Sequence, residues 1–173
     1  MSISLYDVSV SNYLQILRAM EGVLAKGAEF YPAQGRDLNE VLETKLRDDM
    51  LPFRFQLISV VHHSLGAING IKGGIFTPPP SMPDVDYAGF QALVADAITQ
   101  LEALSQDEVN GLSEQALKFK LGDFEMPFIG QDFVLSFSLP NFYFHATTAY
   151  DMLRIDGVPL GKKDFLGAMR MAS

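Results

Sequence analysis

The segment from Pro52 to the glycines of NGIKGG constrains this chain more than any other. Proline suits a first helical position and clustered glycine suits a stop, so the segment reads as one helix, the second of the chain. At about 100° per residue, Phe53, Leu57, Val60, Val61, Ser64 and Ile68 form one face, and Phe55, Ile58, His62 and Leu65 form another beside it. A helix that is apolar on two sides has to be surrounded, so the chain must close a bundle around it. Arg54, Gln56, Ser59, His62 and His63 interrupt the same stretch and make it too costly for a bilayer.

The remaining elements supply that enclosure. Asp7, Ser9 and Ser11 offer caps for helix one, in which Tyr13, Leu17, Met20 and Leu24 recur at spacings of three and four. Gly27 offers its C-terminus before Pro32 forbids continuation. Asp37 caps a short piece, LNEVLETKL. Residues 73–84 are a Pro/Gly-rich linker whose three consecutive prolines favour extended chain. Helix three starts near Asp84 or Asp86 and carries the stripe Phe90, Leu93, Val94, Ala97, Leu101 and Leu104. Ser105 and Glu108 form a capping-box pair for a short helical turn.

The period then changes. Residues 116–128, ALKFKLGDFEMPF, alternate about a Gly122-Asp123 turn and read as a small hairpin. The stretch FVLSFSL also alternates like a strand, but Asp132 is a good cap, and Phe144, Thr148, Ala149 and Met152 share one helical face. A fourth helix from Asp132 to Ile155, kinked at Pro140, is therefore expected, with a strand over 133–139 as the alternative. The tail packs back through Phe165 and Leu166 and frays beyond them.

Composition sets limits on function. A chain of 173 residues, 48% hydrophobic and 20% charged, can form one domain, 1–173, with its own core. It has no cysteine, so any metal would use His, Asp, Glu or Tyr. A net charge of -8 argues against nucleic acid, whose phosphates are bound by clustered Lys and Arg. The start, MSISLYDVSV, has neither a basic stretch nor a continuous apolar run, so no secretory signal is expected and the protein reads as cytoplasmic, without a membrane association. With 13 phenylalanines, some apolar surface should be covered by a second copy, making a homodimer the expected partner arrangement.

Chemistry concentrates in three histidines. His145 lies beside Phe144 in the most aromatic stretch. An isolated histidine among aromatics is more often a hydrogen-bonded core residue than a ligand, yet imidazoles facing each other across a bundle are also how such folds build metal sites. His62 shares a face with Ile58 and Leu65 and is the expected partner of His145. His63 falls on the side of Gln56, Ser59 and Gly66, which assigns it a solvated or linker-facing role. Phe144 and Tyr150 are candidate pocket-lining residues. A catalytic metal typically takes three protein ligands, and Asp151, six residues from His145, does not supply the third. Metalloprotease, phosphate-loop, nucleophile-elbow and EF-hand motifs are absent.

The block FYFHATTAYDMLRIDGVPLGKKDFLG, with DDMLPFRFQ and LPNF upstream, resembles a bacterial domain family of unknown function in the DinB/YfiT-like superfamily of metal-binding helical bundles. The resemblance covers nearly the whole chain. It implies a mainly α, up-down-down-up four-helix bundle, often dimeric, with a site on the inner faces of helices two and four. Relatives with an intact site bind nickel or zinc through one histidine on helix two and an HXXXH pair on helix four, and some act as thiol-dependent transferases or isomerases. His145 matches the first member of that pair and His62 the helix-two ligand, but Ala149 stands where the second member would be. The resemblance thus implies a dimeric small-ligand-binding or structural module with a degenerate metal site, the alternative being a divalent-metal enzyme, a thiol-dependent transferase or hydrolase.

Overall fold

The computed structural model describes residues 3–171. Helix α1, Leu5–Val8, is closed by a capping box in which Ser4 Oγ accepts from the Asp7 amide and the Asp7 carboxylate accepts from the Ser4 amide. Helix α2, Val10–Ala33, follows without a side-chain cap. The expected stop at Gly27 is not taken. Gly27 is instead a packing residue, since a Cβ there would lie 2.4 Å from the Tyr87 hydroxyl. Pro32 is accommodated in the last turn of α2, and the chain turns only at Gln34 and Gly35.

A 3-10 turn, Leu38–Glu43, capped by Asp37, leads into α3, Phe53–His62. The single helix expected from Pro52 to the glycines is in fact two, because α4 runs separately over Leu65–Gly73. Ser64 explains the break. Its hydroxyl donates to the Val60 carbonyl at 2.8 Å, replacing the bond that its own amide would have made there, and its amide turns to Val61.

Strand β1, Ile75–Phe76, lies inside the stretch read as a linker, so that reading is corrected: the chain pairs with sheet before it extends. Helix α5, Tyr87–Glu102, is capped by Asp86, and α6, Gln106–Asn110, by Ser105. The hairpin is β2, Ala116–Leu121, and β3, Phe124–Ile129, turning at Gly122 with φ +59°. It is one part of a three-stranded sheet, because β1 runs parallel to β2 in the register Ile75↔Lys118 and Phe76↔Phe119.

Residues 133–139 are helical. Helix α7, Gly130–Phe133, continues through a π turn, Val134–Ser138, into α8, Leu139–Ile155. Pro140 is the physical cause of the turn. It lacks an amide proton and its ring crowds the carbonyl four residues back, so the helix widens and the Leu139 amide bonds to Val134, five back. Helix α9, Lys162–Leu166, lies against α2, with Gln15 donating to the Leu166 carbonyl. Against the expected fraying beyond Leu166, Arg170 still donates to Asn12, and only residues 172–173 of that stretch lie outside those described.

The long helices form a mainly α, DinB-like up-down-down-up four-helix bundle. Helix α2 packs on α5 and α8, and α3 packs on the same two, so α2 and α3 stand on opposite corners. Fully buried Tyr13, Leu17, Met20, Phe53, Leu57, Phe90, Val94 and Phe142 fill the space between them. The α3–α8 seam carries the buried polar residues Gln56, Ser59 and His63.

Candidate functional site

Gln56, Ser59 and His63 recur at three and four residues along α3 and so form one stripe, which faces α8. All three are buried, with His63 only 6% exposed. The solvated or linker-facing role expected for His63 is therefore wrong, and that role falls to His62. His63 lies nearly parallel to His145, with ring centres 5.9 Å apart and planes inclined by 13°. Its position is fixed from behind by a polar relay. Ser138 of the π turn donates to the His63 carbonyl at 2.6 Å, and because its one proton is used there, Tyr13 must be the donor in the 2.7 Å bond between the two hydroxyls.

The tautomer of His145 follows from its neighbours. The Gln56 amide nitrogen donates to the Leu51 carbonyl at 2.8 Å, which turns Gln56 Oε1 toward His145 Nδ1 at 2.7 Å. His145 Nδ1 therefore carries the proton and Nε2 the lone pair. Burial pushes the His145 pKa down to about 4, so the ring is neutral at neutral pH. His63 is pushed down to about 3, by burial first and then by the neighbouring His62 and His145. Two buried atoms of the stripe, Ser59 Oγ and His63 Nδ1, have no hydrogen-bond partner. Groups of this kind are rare in folded proteins and mark places where a further molecule could bind.

His62 points elsewhere. Its Nε2 donates to the Thr77 carbonyl at 2.7 Å, and its Nδ1 lies 3.2 Å from where a Cβ on Gly66 would be. The ring stacks on Phe76 at 4.3 Å, and Phe76 also meets His63. Phe76 reaches this position because Gly70 has no side chain, a Cβ there lying 2.8 Å from its ring. Strand β1 thus serves the site by delivering Phe76, which joins Phe133 and Phe137 in an aromatic floor beneath the histidines. Phe144 meets the edge of His145 at 5.2 Å but is 56% exposed, on the outer side of α8. Tyr150 is buried on another side of the helix, against Phe165.

The nickel or zinc site implied by the resemblance needs converging nitrogens. His62 has Nε2 engaged with Thr77 and its ring stacked on Phe76, His145 has Nδ1 engaged with Gln56, and the position four residues after His145 is the buried Ala149. No group of three His, Cys, Asp or Glu among the described residues could hold an ion. The residues present do not fit a three-ligand metal centre.

A hollow of about 540 Å³ beside α1, α6 and α7 is lined by Ile3, Leu5, Val8 and Leu135 together with Ser4, Asn110, Ser113 and Gln131, and no histidine or carboxylate lines it. The chemistry stays in the α3–α8 seam.

The four-helix bundle is DinB-like in its fold. A DinB family member protein from Shewanella denitrificans is similar in structure, with a TM-score of 0.78, 26% identity, and coverage of 98% of this chain and 95% of that one. The chain belongs to the family described as Domain of unknown function (DUF1993), which it matches over residues 5–166. No curated protein matches it. No helix among the described residues is long and apolar enough to cross a membrane.

The residues that sequence reasoning missed are Gln56 and Ser59, along with the true orientation of His63. Their common spacing was visible, but a polar stripe on a helix is ordinarily read as its wet side.

Proposed function

We propose that this protein is a metal-independent module that binds a small protic ligand at His145, with His145 Nε2 accepting a hydrogen bond from the ligand. One observation carries the reading: Gln56, itself held by Leu51, commits His145 Nδ1 as a donor and leaves Nε2 as a free acceptor on a neutral ring. The unpartnered Ser59 hydroxyl and His63 Nδ1 on the facing helix support it, since a hydroxyl, thiol or water entering the seam would find partners there. The divalent-metal enzyme has no comparable support, because its third ligand is missing. The module acts in the cytoplasm as a homodimer, and the outer face of α8, where Tyr143 and Phe144 are exposed, is available for the second copy.

The test is a pair of measurements on protein purified without an affinity tag. Titration with 2-mercaptoethanol, a small thiol, followed through the side-chain nitrogen resonances, is expected to move His145 Nε2 saturably. Metal analysis of the same sample is expected to find no stoichiometric nickel or zinc. A stoichiometric content that disappears in His145→Ala would overturn the reading.

A further inference from the structure

Residues Thr77 to Met82 make no regular secondary structure, and three of them are consecutive prolines. A segment of this kind would ordinarily lie wherever packing allowed, but α3 holds it at both ends. His62 binds the Thr77 carbonyl at one end. At the other, Arg54 donates to the carbonyls of Met82, Pro83 and Val85, with Met82 at 3.0 Å and Pro83 at 2.8 Å. The two anchors are eight residues apart, about 12 Å along the helix axis. Between them the segment stands off the helix like a bridge and leaves a cleft of about 330 Å³.

We propose that this cleft is a binding site for an uncharged, aromatic or compact aliphatic small molecule. Its volume falls in the range of small-molecule sites, roughly 300 to 1,000 Å³. Phe55 and Ile58 form the helix side, and Pro79, Pro80 and Met82 the bridge side, so both walls are apolar. Prolines have few conformations to lose and the bridge is pinned at both ends, so the walls are set before a ligand arrives.

The charge of the ligand follows from Arg54, the one charged residue in the lining. Its charge is already balanced by Glu43 at 2.6 Å and its Nη1 is taken up by the three carbonyls, which weakens its attraction for an anion. No carboxylate lines the cleft to attract a cation. The Ser81 hydroxyl remains as a polar group at the rim. Phe55 connects the cleft to the histidine seam, since its ring meets His145 edge-on at 5.8 Å. The proposal rests on the reading of this bundle as a small-ligand module and names the chemical class of the ligand.

Benzyl alcohol, benzoate and benzylammonium form a matched neutral, anionic and cationic set. In amide chemical-shift titrations of the full chain, benzyl alcohol is expected to shift Phe55, Ile58 and Met82 saturably, and the two ions to bind at least tenfold more weakly. Ser81 is exposed, so Ser81→Trp should fold normally, fill the cleft from its rim and weaken benzyl alcohol binding at least tenfold. Equal or tighter binding of either ion, unchanged binding in Ser81→Trp, or no saturable shift would each overturn the proposal. His145 Nε2, followed in the same titration, separates the two readings. A cleft response with an unmoved His145 overturns the His145 acceptor alone, whereas a His145 response that persists in Ser81→Trp overturns the cleft alone.

Discussion

Ser138→Ala tests whether the relay behind His63 holds the site together. The hydroxyl accepts from the buried Tyr13 and donates to the His63 carbonyl, at 2.7 and 2.6 Å, so its removal strands one donor and one acceptor inside the bundle. Each stranded group costs about 1 to 3 kcal/mol, and the pair should cost roughly 2 to 4 kcal/mol. For a chain of this length that corresponds to a fall in melting temperature of about 5 to 15 °C. Tyr13→Phe is milder, at roughly 1 kcal/mol, because Ser138 keeps its bond to His63. The double variant no longer strands the Tyr13 hydroxyl and should be less destabilised than the sum by about 1 kcal/mol. Urea unfolding followed by circular dichroism at pH 7 measures all three, and an unchanged dependence on denaturant would show that the two-state comparison holds. A Ser138→Ala variant within about 0.5 kcal/mol of the parent, or a strictly additive cycle, would refute the relay.

Other outcomes follow from the same geometry. His145 and His63 have folded pKa values of about 4 and 3, below the 6.5 of an unfolded histidine, so the unfolded chain binds more protons as pH falls below 6.5. Stability should therefore decline from pH 6.5 toward pH 4, by up to about 1.4 kcal/mol per pH unit for each histidine, and His63→Gln should flatten the decline seen in urea midpoints. Gly27→Ala would push the Tyr87 hydroxyl off the Leu24 carbonyl, now 2.9 Å away, and should cost about 1 to 3 kcal/mol in the same unfolding assay. Arg54→Ala releases the three bridge carbonyls, so residues 81–85 should show faster backbone motion by heteronuclear NOE while the bundle helices keep their values.

Much of the bundle was legible because its signals are local. Asp86 before the stripe of α5, Ser105 before α6, Asp37 before its 3-10 turn and Gly122 in the hairpin each act within one turn of chain. The failures were tertiary. Gly27 looks like a stop until Tyr87, sixty residues on, is found against it. The split between α3 and α4 depends on a serine bonding backward, which Ser64 can do without announcing it in the pattern. Strand β1 is two residues long and exists only because β2 lies beside it. The exchange of roles between His62 and His63 has the same origin. Neighbours on a helix differ by about 100°, and with apolar residues on two sides the pattern does not say which polar edge meets α8.

The π turn has a consequence for how α8 tolerates change in length. A π turn holds one residue more than a regular turn while its flanking helices keep their alignment. Phe133 and His145 thus stand where they would on an ordinary helix shorter by one residue. Deleting the exposed Ser136 would take out the extra residue and leave His145 facing α3. Deleting Asn141 instead would swing the preceding and following parts of the helix by about 100° relative to one another and carry the imidazole out of the seam. Insertions and deletions along this helix are accordingly not equivalent: one turn acts as an expansion joint, and the rest of the helix has none.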